Sequence, residues 1–227
     1  MWMLANVDLF DKLVEPILAE RDKRVAYFHV DALRYELGLE LQRQLIDMGA
    51  STIQPSIAQL PTVTPIGMAS LLPGAGKKLT ILREGKDLVA ALDGQRLTSV
   101  ANRMKVFEQI YGDRFAQITL SEFNGGKKPK VSDAVNLLVI RSTEIDSHLE
   151  NNPDTTLGLV HQTLKGIRVA IHRLRQAGFT DVVIATDHGF FLNGHADAGD
   201  TCAKPSVGDW ITVHDRALLG TGSGDTQ

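Results

Sequence analysis

With 227 residues, the chain is long enough to bury a substantial core within one domain. Its formal net charge of -3 gives no general attraction to nucleic acid or to an anionic membrane surface, although a local basic patch is compatible with it. Cys202 is the only cysteine, which excludes an intrachain disulfide, and no apolar stretch reaches membrane-spanning length. We therefore expect a cytoplasmic protein that does not bind membranes.

The N-terminal half alternates helical and strand-like patterns. Apolar residues recur at helical spacing in two segments, and two other segments carry the short apolar runs that are typical of strands. We treat residues 1–23 as a lead-in segment and expect one domain over residues 24–227. The predicted elements here are a helix at 9–20, a strand at 24–30, a helix at 33–48, a strand-like segment at 52–60 and a short helix starting at residue 65.

The C-terminal half contains the longest helical pattern of the chain, with a strand before it and another after it. Strand, long helix and strand in succession favour a parallel crossover, so the sequence predicts a three-layer α/β/α sandwich with a mostly parallel central sheet. The predicted elements here are a hairpin excursion at 78–97, a helix at 99–111, a strand at 115–120, a basic loop at 124–130, a strand at 136–140, a helix at 155–179 and a strand at 180–185.

Polar side chains follow several of the predicted strands directly. Asp31 ends the first strand, and Asp187 and His188 end the last one. Each has an ordinary structural explanation, since an aspartate often caps a helix or forms a turn. The carboxyl ends of parallel strands, however, lie on one side of a sheet, where ligands bind. Mixed oxygen and nitrogen donors favour zinc or manganese over calcium or magnesium, so we expect a metal site here.

A second set of metal-competent residues follows the strand at 136–140. Asp146 could hold a second ion together with His148 or with Glu150. An extended backbone would place Asp146 and His148 on one face, whereas a helical turn would pair Asp146 with Glu150. Both alternatives stay open from the sequence.

Thr64 offers a hydroxyl nucleophile. A hydroxyl residue followed by proline is a common helix cap, so Thr64-Pro65 has a complete structural explanation without catalysis. The same arrangement suits a phosphate held against the hydroxyl at a helix N-terminus. A divalent cation nearby would make that hydroxyl acidic enough to attack phosphorus.

Four segments, taken together and in this order, resemble the PglZ domain, a member of the alkaline phosphatase superfamily found in BREX phage-defence systems. They are Phe28 to Glu36, Leu60 to Pro73, Ser142 to His148 and Ala185 to Phe190. The resemblance implies an alkaline-phosphatase-like fold with a two-metal site. It places Thr64 as the nucleophile in one metal site with Asp31, Asp187 and His188, and Asp146 in the other.

The chain departs from the superfamily pattern at the second metal site. Where a histidine commonly follows the aspartate by four residues, this chain has Glu150. The superfamily also contributes a last histidine from a later strand, and this chain has no clear counterpart of it. His195 and His214 are the possible substitutes. The glycine-rich ending leads us to expect a truncated piece of a larger protein.

The residues and the resemblance together indicate a metal-dependent hydrolase of phosphate monoesters or diesters, with a phosphothreonine intermediate. We expect two divalent ions, zinc first and manganese as the alternative, and a phosphate-ester substrate such as a nucleotide or nucleic acid. Arg34 and Arg141 are candidates for substrate contact. The alternative is a non-catalytic scaffold domain that binds other defence-system proteins.

Overall fold

The computed structural model describes residues 3–126, 131–151, 156–190, 207–213 and 217–221. Within these ranges, the side chains of residues 148–151, 156–157, 212–213 and 221 are not described. The strands are β1 Leu4–Ala5, β2 Val25–Val30, β3 Ser56–Ile57, β4 Leu79–Glu84, β5 Asp87–Leu92, β6 Gln95–Arg96, β7 Phe115–Thr119, β8 Leu137–Ser142, β9 Asp181–Ala185, β10 Asp209–Val213 and β11 Leu218–Thr221.

Helices make up the outer layers. The α-helices are α1 Glu15–Leu18, α2 Tyr35–Gln44, α3 Thr64–Ser70, α4 Ala75–Lys78, α5 Val100–Tyr111, α6 Leu120–Gly125, α7 Glu144–Asn151 and α8 Thr156–Gln176. A π-helical stretch at Phe10–Val14 leads into α1, and 3-10 turns lie at Asn6–Asp8, Ile46–Met48 and Gly112–Arg114. No helix in the described ranges has both the length and the apolar character that crossing a bilayer requires.

The central sheet has four parallel strands in the order β7-β8-β2-β9, which confirms the prediction of a parallel α/β architecture. Both faces of β2 are buried, as its mostly apolar sequence predicts for the middle of a parallel sheet. Val25 and Tyr27 pack into a core with α3 and α5. Ala26 and Phe28 point the other way, into a core with α6 and α8. These two cores define the three layers.

The smaller sheets lie outside this central sheet. The predicted excursion at 78–97 is an antiparallel sheet of β4, β5 and β6. The strand expected over 52–60 is wrong except for β3, which pairs in parallel with β1 over two residues. Strand-like composition alone does not make a strand, because the extended backbone also needs a neighbour to hydrogen-bond along its length.

One helix that the sequence reasoning did not anticipate follows β7 directly. Thr119 accepts a hydrogen bond from the backbone of Glu122 at 3.2 Å, and the Glu122 carboxylate accepts one from the backbone of Thr119 at 3.0 Å. This reciprocal capping box satisfies free amides at the start of α6. The Thr-x-x-Glu spacing was the local signal available in the sequence.

Candidate metal centre

The carboxyl ends of β2 and β9 bring three of the predicted site residues together. The two strands are hydrogen-bonded neighbours with His29 opposite Ala185, so Asp31 and the segment at 187–188 leave the sheet side by side. Asp31, Asp187 and His188 have exposed fractions of only 3%, 0% and 3%. Charged groups this deeply buried require compensating partners.

Asp146 joins this cluster from the neighbouring strand. It lies in α7, just after β8, whose last residue Ser142 is level with Val30 of β2. Asp31, Asp146 and His188 each offer one ligand atom, and the three atoms lie within 4.8 Å of one another. Two carboxylate oxygens and one imidazole nitrogen at this separation can hold a metal ion.

Asp187 supplies a direct test of whether a cation fits. Its Oδ1 accepts hydrogen bonds from the backbone amides of His188 at 2.9 Å and Ala32 at 3.3 Å. Its buried Oδ2 accepts no hydrogen bond from the described residues and lies 3.2 Å from His188 Nε2. Burial raises the pKa of Asp187, while His188 and the backbone donors oppose that rise. An under-satisfied buried carboxylate beside other donors therefore fits a cation.

The ring orientation of His188 is set by its own neighbourhood. Nδ1 lies 3.1 Å from the Gly189 carbonyl oxygen, which accepts a hydrogen bond when the proton is on Nδ1. Nε2 then presents its lone pair to the cluster, 3.6 Å from Asp31 Oδ1. A hydrogen bond at the far nitrogen is the usual way in which a protein fixes the tautomer of a ligand histidine.

Thr64 lies at the first position of α3, and its side chain does not cap that helix. Val63 is the N-cap residue and makes no side-chain capping bond. The Thr64 hydroxyl donates to Asp31 Oδ1 at 3.4 Å and lies 3.2 Å from His188 Nε2. The alternative explanation of Thr64 as a helix cap is therefore wrong, because its hydroxyl points into the acidic cluster.

Asp31 likewise has no capping role, since α2 begins four residues later with Arg34 as its N-cap. Its backbone amide donates to the Ser142 carbonyl at 2.8 Å, which continues the β2–β8 ladder past the end of the strand. The structure thus fixes the Asp31 backbone through the sheet and leaves its carboxylate in the cluster.

Two residues that the sequence reasoning missed shape the cluster. Asn6 is buried and donates from Nδ2 to the carbonyl oxygens of Thr186 and Asp187, both at 3.0 Å, while its Oδ1 accepts from Ser56 at 2.6 Å. Gly67 lets α3 approach closely, because a Cβ at that position would lie 2.7 Å from the Asp187 Cβ. Neither had a local signal, since both act on a segment more than a hundred residues away.

The two arginines predicted for substrate contact lie in different surroundings. Arg34 pairs with Glu36 through two hydrogen bonds of 2.8 and 2.9 Å, and its guanidinium lies 5.4 Å from the Phe190 ring centroid. Arg141 lies near the end of β8, and its buried Nε has no hydrogen-bond partner among the described residues. Their predicted role in binding substrate stays a prediction.

The backbone of residues 144–151 is helical, so positions 146 and 150 are one turn apart. The side chains of His148 and Glu150 lie outside the described residues, as do His195, His214 and residues 127–130 of the basic loop. The ligands proposed to accompany Asp146 therefore stay predictions.

Comparison with known families gives one match. The family model described as "BREX system PglZ alkaline phosphatase-like domain" matches residues 9–223. The match begins within the N-terminal helical segment and covers all the predicted site residues, while Asn6 precedes it. No curated protein matches the chain.

Proposed function

The chain belongs to the BREX system PglZ alkaline phosphatase-like domain family, and from that membership we propose that it is a metal-dependent hydrolase of phosphoric esters with Thr64 as the nucleophile. The observation that carries this proposal is the position of the Thr64 hydroxyl. It lies within 3.4 Å of both Asp31 Oδ1 and His188 Nε2, inside a buried group that can hold a metal ion.

Asp31, Asp187 and His188 would hold a divalent cation beside Thr64. Asp146 would belong to a second one close by, since its ligand atom lies within 4.8 Å of those of Asp31 and His188. We propose zinc, with manganese as the alternative, because the donors combine carboxylate oxygen with imidazole nitrogen. Bound there, the cation would make the hydroxyl more acidic and offset negative charge on the phosphoryl group. The donors supplied by Ala32 and His188 hold the Asp187 carboxylate in one orientation.

The chain's own residues define the order of bond changes. Thr64 Oγ1 gives up its proton to solvent and forms a bond to phosphorus, while the bond from phosphorus to the ester oxygen breaks and that oxygen takes a proton from solvent to leave as the alcohol. Asp31 Oδ1 accepts the Thr64 hydrogen bond and so orients a lone pair of the oxygen outward for attack. Water then cleaves the phosphothreonine, which restores Thr64 and releases phosphate or a phosphomonoester.

Family membership also supports a place among the proteins of a BREX system. We propose that the chain acts in phage defence together with other proteins of that system. A nucleotide or nucleic acid is the phosphate ester that such a setting favours.

The test is a pair of substitutions in the purified chain equilibrated with zinc or manganese. Thr64→Ala removes the nucleophile, and Thr64→Ser is the matched control that keeps a hydroxyl. Product release from p-nitrophenyl phosphate and from bis(p-nitrophenyl) phosphate should fall at least about 1,000-fold in Thr64→Ala, since the covalent step is lost. Thr64→Ser should retain most of that activity.

Elemental analysis of the same samples separates catalysis from metal binding. Thr64→Ala should keep the metal content of the wild type, because the proposed ligands are intact. A wild-type chain with neither bound metal nor product release would favour the scaffold alternative. Equal turnover in wild type and Thr64→Ala would refute the nucleophile.

A further inference from the structure

Two arginines and a histidine lie together on the α5 side of the central sheet. In the parallel register, Arg141 of β8 is opposite His29 of β2, so both side chains project from the same face. That face carries Tyr27, whose ring lies 4.5 Å from the His29 ring in an edge-on contact. Arg141 therefore projects toward α5, close to the carboxyl edge of the sheet.

Helix α5 brings Arg103 to the same place. Phe107 packs 5.9 Å from the His29 ring, and Arg103 precedes it by one helical turn on the same face of α5. Burial lowers the pKa of Arg103, the carboxylates of Asp187 and Asp31 oppose that change, and Arg141 adds to it. The Arg103 guanidinium thus lies within electrostatic reach of both the acidic cluster and the second arginine.

Neither guanidinium is neutralised by a contact with the residues that the structure describes. Within the described ranges, Arg103 and Arg141 form no ion pair and donate no side-chain hydrogen bond. Half-buried arginines of this chain are otherwise paired, as Arg24 is by three backbone carbonyls and Arg34 by Glu36. Two neighbouring positive groups without an acceptor in the described part of the chain leave a set of N–H donors available to an anion.

We infer that Arg103 and Arg141 form a two-arginine clamp that binds the non-bridging oxygens of the phosphoryl group attacked by Thr64, an inference that rests on the proposed function. Each planar guanidinium matches phosphate oxygens with two parallel hydrogen bonds, which an ammonium group cannot reproduce. Thr64 and the acidic cluster lie at the same edge of the sheet, so the clamp would hold the phosphoryl group over the nucleophile.

The experiment measures binding of inorganic phosphate, without turnover, by isothermal titration calorimetry of the zinc-equilibrated chain. Arg103→Gln and Arg141→Gln should each weaken phosphate binding about 10- to 100-fold, since each removes charged hydrogen bonds. Arg103→Lys, which keeps the charge and the aliphatic stem, should also weaken it, and this variant keeps the test decisive if Arg103→Gln does not fold. Zinc content should not change.

Arg96→Gln is the matched control, because Arg96 is an exposed arginine of β6 that pairs with Glu84 away from the central sheet. It should bind phosphate as the wild type does. Phosphate affinity within twofold of wild type in both Arg103→Lys and Arg141→Gln, or no phosphate binding by the wild type, would overturn the clamp.

The same titrations distinguish the clamp from the proposed catalysis. Phosphate binding that depends on both arginines in a chain that releases no product would support the clamp and count against the Thr64 chemistry. Product release with arginine-independent phosphate binding would count against the clamp alone.

Discussion

Acidification should destabilise this protein through one buried imidazole, that of His29. His29 is 3% exposed, its Nε2 has no hydrogen-bond partner among the described residues, and it packs between aromatic rings. Burial, followed by the positive charges of Arg103 and Arg141, lowers its pKa from 6.5 to about 3. The His29 imidazole is therefore protonated below about pH 6.5 in the unfolded chain, but only below about pH 3 in the folded chain.

The sign and size follow from that difference. The stability from neutral His29 is fully present above the unfolded pKa and is lost as the pH falls through 6.5 toward the folded value of about 3. At pH 5 the unfolded imidazole is about 1.5 pH units below its pKa, so at about 1.4 kcal/mol per unit the loss is about 2 kcal/mol relative to pH 7.5.

The assay is urea unfolding of the chelator-treated chain at about pH 7.5 and about pH 5, followed by circular dichroism. His29→Phe keeps a ring against Tyr27 and Phe107 but cannot be protonated. Wild type should lose about 2 kcal/mol more than His29→Phe between the two pH values, since other titrating groups are common to both. His172→Phe, at an exposed position of α8, is the matched control. An equal loss in wild type and His29→Phe would refute the reasoning.

Three further outcomes concern the residues around the cluster. Asn6→Ala should lower the free energy of unfolding in urea by about 2–3 kcal/mol, because one buried and one partly buried carbonyl lose their donor. A cost no larger than that of Gln42→Ala, which removes one exposed hydrogen bond, would contradict this role. Gly67→Ala should lower the free energy of unfolding, measured in the same way, by about 1–3 kcal/mol, because the added Cβ forces α3 and Asp187 apart. Gly158→Ala is its control: a Cβ there meets no described atom within 4 Å, so the substitution should stabilise α8 by up to about 1 kcal/mol. Asp187→Asn should make the metal-free chain more stable at neutral pH, because burial raises the pKa of Asp187 and so disfavours its ionised form in the folded chain. That gain should vanish as the pH falls below the ordinary aspartate range, where the carboxyl group is protonated in the folded and the unfolded chain alike. Zinc binding, measured by calorimetry, should weaken at least about 10-fold.

The sequence by itself determined the elements whose signals are local. Each of three elements is predicted without reference to the rest of the chain, by the mostly apolar run of β2, the helical period of α8 and the apolar run of β9. The rule that parallel strands end on one side of the sheet then predicted that Asp31 and the 187–188 segment would meet. These predictions succeeded because period and composition are properties of a few consecutive residues.

Only the tertiary structure decided the features that depend on distant neighbours. The strand expected over 52–60 shrank to two residues because only β1 pairs with it. The segment at 144–151 was compatible with an extended or a helical backbone until the fold made it α7. In the same way, Thr64 fits a cap by its sequence, yet its hydroxyl faces Asp31 and His188.

The residues that support the site show why this division arises. Asn6 contacts carbonyls that lie 180 and 181 positions later. The charge of Arg103 is influenced by Asp31 and Asp187, although its own helix has a pattern that indicates only an amphipathic surface. Such contacts depend on how the chain closes long loops, and no short-range pattern records that closure. Sequence alone therefore established which chemical groups were available, and packing established which of them meet.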